Sequence, residues 1–100
     1  MKEISIVTDD RGTVCVEVVD PIIDGGKALV PLMTELPRKR FKSLLAAIRD
    51  AGADREQTFE DFFREYLGDY VDEVKQEDWL RLVKGWNEAS EEHAGATLGE

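Results

Sequence analysis

The chain has 100 residues, 42% of them apolar, and its 22 acidic against 13 basic side chains leave a net charge of −9. That length holds one domain with a modest core, and that charge excludes general affinity for nucleic acid or anionic membranes, whose phosphates repel it. A single cysteine, Cys15, excludes an intramolecular disulfide, and the polar N-terminus with no apolar run of membrane length points to a cytoplasmic protein.

The first elements read as β. Ile4 and Ile6 share one face of a first strand, and Val14, Val16 and Val18 share one face of a second. Between them Asp9-Asp10-Arg11-Gly12 supplies turn formers, so a hairpin with a short loop is expected. Thr13, Cys15 and Glu17 fall on the opposite, half-exposed face, and Cys15 reads as a strand residue rather than a nucleophile, because a reactive thiol needs an electropositive setting. Asp24-Gly25-Gly26 is a turn without the spacing of a phosphate loop. Lys27 to Leu32 forms a short third strand at a sheet edge, since Pro31 cannot donate to a ladder.

Helical periodicity follows. A helix opens at Thr34 or Leu36 with Pro37 in its first turn. Phe41, Leu44, Leu45 and Ile48 form its apolar stripe at i, i+3, i+4 and i+7, and Gly52 stops it. A second stripe runs from Phe59 through Phe62, Phe63, Tyr66, Leu67, Tyr70 and Val71 to Val74, with Thr58 as N-cap and Asp61 as its capping-box acid. Gly68 either breaks or bends this helix. A last helix carries Trp79, Leu82, Val83 and Trp86 on one side, with Glu77 and Asp78 suited to the positive end of its dipole. The expected fold is α+β and mostly helical: an N-terminal hairpin or small sheet followed by three helices. Residues 1–90 form the domain and residues 91–100 a flexible tail, too poor in large apolar side chains to order itself.

No motif states a chemistry. His93 is the sole histidine and one Cys with one His cannot make a structural zinc site. The acids around Asp69, Asp72, Glu73, Glu77 and Asp78 lack calcium-loop spacing and read as a solvated helix face. No serine sits in a nucleophile elbow. The expectation is a protein that is not an enzyme and holds no cofactor or metal.

Charge is segregated along the chain. From Glu56 to Asp78 there are nine acids and two bases, and from Pro37 to Arg49 there are five bases and no acid. Arg38, Lys39, Arg40 and Lys42 crowd a helix N-terminus, where the dipole opposes them. Either the acidic helix of the same molecule, or water and salt, compensates them, or an acidic face on a second copy or a partner does; a phosphate-binding patch is a third reading, which the overall charge weakens. Trp79 and Trp86, two turns apart on one helix face, belong either to the core or, Trp86 above all, to an interface where tryptophan is a preferred anchor. Leu98 is the one large aliphatic side chain of the tail and a candidate anchor of its own.

The last third of the chain, Leu80-Arg81-Leu82-Val83-Lys84-Gly85-Trp86-Asn87-Glu88-Ala89-Ser90 with the terminal Leu98-Gly99-Glu100, resembles the tail assembly chaperones of long-tailed bacteriophages, especially those of Gram-positive hosts. In that family a tryptophan followed by a small residue closes the last helix, matched here by Trp86, Ala89 and Ser90, and a Leu-Gly-Glu segment often ends the protein. Leu36-Pro37 ahead of a helix is also similar. Here Glu91-Glu92-His93-Ala94-Gly95-Ala96 makes the gap before the closing segment wider than the family pattern. The resemblance implies a small, acidic, non-enzymatic protein of the host cytoplasm. It would bind the helical tape-measure protein, keep it soluble, recruit tail-tube subunits, and often be made also in a frameshifted longer form. Partner contacts are then expected near Trp79, Leu82, Val83, Trp86, Leu98 and the basic group Arg38, Lys39, Arg40 and Lys42. Two alternatives stand beside it: a small acidic inhibitor that mimics nucleic acid through Glu56–Asp78, of the anti-restriction or anti-CRISPR type, and an oligomerising regulatory or toxin–antitoxin module.

Overall fold

Antiparallel pairing of three short strands builds the N-terminal third: β1 (Glu3–Thr8), β2 (Val14–Val19) and β3 (Lys27–Pro31), in the order β1-β2-β3. The computed structural model describes residues 3–50 and 54–98, the side chains of 94–98 excepted. The β1–β2 turn is closed by the Asp9 carboxylate, which accepts from the N–H groups of Arg11 and Thr13. Gly12 takes φ 84° there, a value that glycine adopts without steric cost. The register sets Ile4 opposite Val18, Ile6 opposite Val16, and Val16 opposite Val30. These residues therefore share one face; the helices cover it at Val16, Val18 and Val30, which are fully buried, but leave Ile6 53% exposed.

After β3 a single 3-10 turn, Met33–Glu35, leads to Leu36, which is extended. The expected helix start at Thr34 or Leu36 is thus displaced. A residue before proline is disfavoured in the α region, so α1 runs from Arg38 to Asp50, and the Pro37 carbonyl accepts its first bond, from Phe41 N–H at 2.9 Å. The expected stop at Gly52 lies outside the described residues.

The long apolar repeat is divided. α2 spans Arg55–Leu67 and α3 spans Tyr70–Glu73. Gly68 sits between them at φ 59°, ψ −136°, so the glycine breaks the helix. Among the described residues four α-helices follow the sheet, where three were expected. Thr58 is not the N-cap: α2 starts a turn earlier, and the Thr58 hydroxyl instead donates back to the Asp54 carbonyl at 3.4 Å. Asp61 accepts from the Gln57 amide, one turn before it, and serves no capping box.

α4 extends from Gln76 to Leu98. Its backbone stays helical beyond residue 90, where the sequence places the end of the domain. Gly99 and Glu100 lie outside the described residues.

The core lies between the inner sheet face and α2 with α4. Phe59, Phe62 and Phe63 of α2 surround Trp86 of α4, with centroid separations of 6.1, 5.2 and 5.4 Å. Phe63 also meets Trp79 edge-on at 5.4 Å. Offset and edge-to-face contacts of this kind add to the apolar burial. α3 is tied to the sheet by a buried bond: the Tyr70 hydroxyl donates to Asp20 Oδ2 at 2.7 Å, fifty residues away. Burial, then that bond, push the Tyr70 phenol above its usual range, so it keeps the proton it donates.

Cys15 departs from expectation. It lies on the face of the sheet away from the core, with Val7 and Pro31 as its register neighbours, yet is only 3% exposed. Burial, followed by the nearby carboxylates Asp9 and Glu35, pushes its thiol upward. Since the thiolate is the reactive form, alkylation of the folded protein at neutral pH is expected to run at least about tenfold slower than after unfolding in denaturant. A mass-spectrometric time course checks this; equal rates in the two states would contradict the burial.

Candidate helix-binding groove

Trp79, Leu82 and Trp86 are 4%, 2% and 0% exposed, and Val83 is partly buried against the same core. The surface expected from these four residues does not form, because α2 supplies three phenylalanines that cover it. The side chain of Leu98 lies outside those described.

Trp86 does more than fill space. Leu32 N–H bonds back to the Val14 carbonyl at 3.1 Å. The backbone groups of Pro31 and Met33, one residue to either side, therefore point away from β2, to where a fourth strand would bond. α4 occupies that place. Trp86 Nε1 donates to the Pro31 carbonyl at 2.9 Å, and Ser90 Oγ accepts from Met33 N–H at 3.1 Å. Trp86 and Ser90 are one helical turn apart and match two successive outward groups of an edge strand that otherwise invites pairing with another chain. Proline at position 31 has no N–H to leave unpaired. On the other side, Glu35 Oε1 accepts from Val14 N–H at 3.2 Å and lies 3.4 Å from His93 Nε2 of α4.

This clasp fixes the 3-10 turn against α4 and leaves a cleft between them and α1. The cleft encloses about 730 Å³. Its floor is Phe41, Leu45 and Ile48 of α1 with Met33 and Leu36, and its far wall is Asn87, Ser90 and Glu91 of α4. Leu44, on the same sequence stripe, turns into the core instead, at 3% exposure. The apolar stripe of α1 is thus shared between core and cleft. Apolar spacing alone did not separate the two halves; the missing information was the position of α4, which begins at Gln76.

The basic group divides as well. Arg40 pairs with Glu65 of α2 and sets its guanidinium 5.5 Å from the Phe62 ring centroid. That part of the patch is compensated within the molecule. Arg38, Lys39 and Lys42 are exposed, and Arg38 also lines the cleft. On the acidic side, Arg64 holds Asp72 through two contacts of 2.6 and 3.1 Å, and this bond keeps the Asp72 carboxyl below its usual range.

Among the described residues, no three of His, Cys, Asp and Glu converge as a metal-binding group, and no helix is long and apolar enough to cross a membrane. Comparison with protein-family models, with curated proteins and with solved structures finds no match.

Proposed function

We propose that the chain is a non-enzymatic tail assembly chaperone of the long-tailed-phage type, working in the host cytoplasm. Its task is to hold an apolar helical stretch of the tape-measure protein in the α1–α4 groove while tail-tube subunits are recruited. The observation that carries this reading is the groove itself: three half-buried apolar side chains of one helix, Phe41, Leu45 and Ile48, line it at helical spacing beside a second helix. Such a strip takes the i, i+3, i+4, i+7 anchors of an amphipathic partner helix. Two of the residues that carry the family resemblance, Trp86 and Ser90, pin α4 in place as the groove's wall. The nucleic-acid-mimic alternative has less support, because Arg40 and Arg64 interrupt the acidic surface by pairing with Glu65 and Asp72.

Co-expression with a tape-measure protein and affinity capture tests the reading. The wild-type chain is expected to recover the tape-measure protein. Leu45→Glu, on a half-exposed side chain, is expected to lower recovery at least about tenfold by placing a charge against an apolar contact, with circular dichroism unchanged. Recovery that is indifferent to Leu45→Glu, or that yields only nucleic-acid enzymes, would overturn it.

A further inference from the structure

The α1 side of the groove carries a rim of cations. On α1, Arg38, Lys42 and Arg49 stand at i, i+4 and i+11, which places them along one line of the helix surface. That line runs beside the apolar strip Phe41, Leu45, Ile48 for three turns. All three cations are exposed, and none has an ion pair among the described residues. This is unexpected in a chain of net charge −9, which does supply carboxylates to Arg40 and Arg64. Arg38 and Lys42 also stand near the N-terminus of α1, where the helix dipole disfavours them. The opposite wall carries the carboxylates Glu35 and Glu91, with His93 3.4 Å from Glu35.

We infer that the groove is built for an acidic amphipathic helix of a partner protein, with its apolar stripe on Phe41, Leu45 and Ile48 and its acids along one flank, facing Arg38, Lys42 and Arg49. The rise of 1.5 Å per residue puts the three cations about 6 and 10 Å apart along the axis, so ligand acids four and seven residues apart meet them in turn. Acids on the other flank would face the exposed carboxylate Glu91 and are disfavoured, which sets the preferred rotation of the ligand helix in the groove. The net charge of the chain does not forbid this, because screening confines the interaction to roughly 8–10 Å and the rim cations are the nearest charges.

This inference rests on the groove being the partner site, and one experiment separates the two. Two designed helical peptides share the same leucine stripe; one carries glutamates on a single flank, the other lysines at the same positions. Binding to the full chain is measured by fluorescence anisotropy. The glutamate peptide is expected to bind about tenfold more tightly at low salt, the sum of three exposed ion pairs. The gap should narrow as salt rises, and Lys42→Glu with Arg49→Glu should invert the preference. Equal binding of both peptides, abolished by Leu45→Glu, would overturn the charge assignment and leave the groove standing. Failure of both peptides to bind, or binding insensitive to Leu45→Glu, would overturn the groove reading and this inference with it.

Discussion

Trp86→Ala is expected to remove about 3–5 kcal/mol of stability, the range for deleting a large buried aromatic. Three phenylalanine rings lose their common neighbour, and the Pro31 carbonyl loses its donor. A domain of this size is commonly stable by only 5–15 kcal/mol, so the variant should melt roughly 15–30 °C lower. Trp86→Phe separates the two contributions. It keeps an aromatic ring among Phe59, Phe62 and Phe63 but leaves the Pro31 carbonyl unpaired, for a smaller loss of about 1–3 kcal/mol. Thermal unfolding followed by far-ultraviolet circular dichroism measures both. A Trp86→Ala protein with wild-type melting would mean that the tryptophan lies outside the core. Equal losses for the two variants would assign most of the effect to the indole N–H.

The same substitution at two glycines is expected to have opposite signs. A Cβ added at Gly68 or at Gly85 meets no heavy atom within 4 Å, so sterics with neighbours decide neither case. Gly68 holds φ 59°, ψ −136°, a conformation that L side chains avoid, and Gly68→Ala should cost about 1–3 kcal/mol. Gly85 lies inside α4, where alanine restricts the unfolded chain and favours the helix; Gly85→Ala should add about 1 kcal/mol. Urea titrations of both variants check the pair. A stabilising Gly68→Ala would mean that α2 and α3 can join as one helix, and the break at Gly68 would lose its physical cause.

The elements and their order were legible in the residues because they depend on near neighbours. Period-two alternation marked β1 and β2, and the turn residues Asp9 to Gly12 marked their connection. The absent N–H of Pro31 put β3 at an edge. The phenylalanine repeat marked α2, and Gly68 marked a place where that repeat would either break or bend. Two local readings failed for reasons that are also local. Thr58 resembled a cap only because the preceding turn, from Arg55, carries no apolar residue to announce it. Thr34 resembled a helix start, but the restriction before Pro37 moved that start to Arg38.

What each apolar residue does was decided by tertiary structure. Leu44 and Leu45 are adjacent members of one stripe, yet one is in the core and the other in the groove. Trp86 read either as core or as an interface anchor and is, among the described residues, the largest fully buried side chain. Ser90 looked like a small residue before a weak tail and closes the backbone of Met33, fifty-seven positions away. By itself the sequence determined the α+β class, the order of the elements and the segregation of charge; Gly68 marked a weak point, and the folded chain decided that the helix breaks there. Only the folded chain decided which face of α1 remained open, which cations lacked partners and how the edge of β3 was closed. The physical reason is range: backbone preference and side-chain period act over a few residues, whereas burial depends on where α2 and α4 land against the sheet.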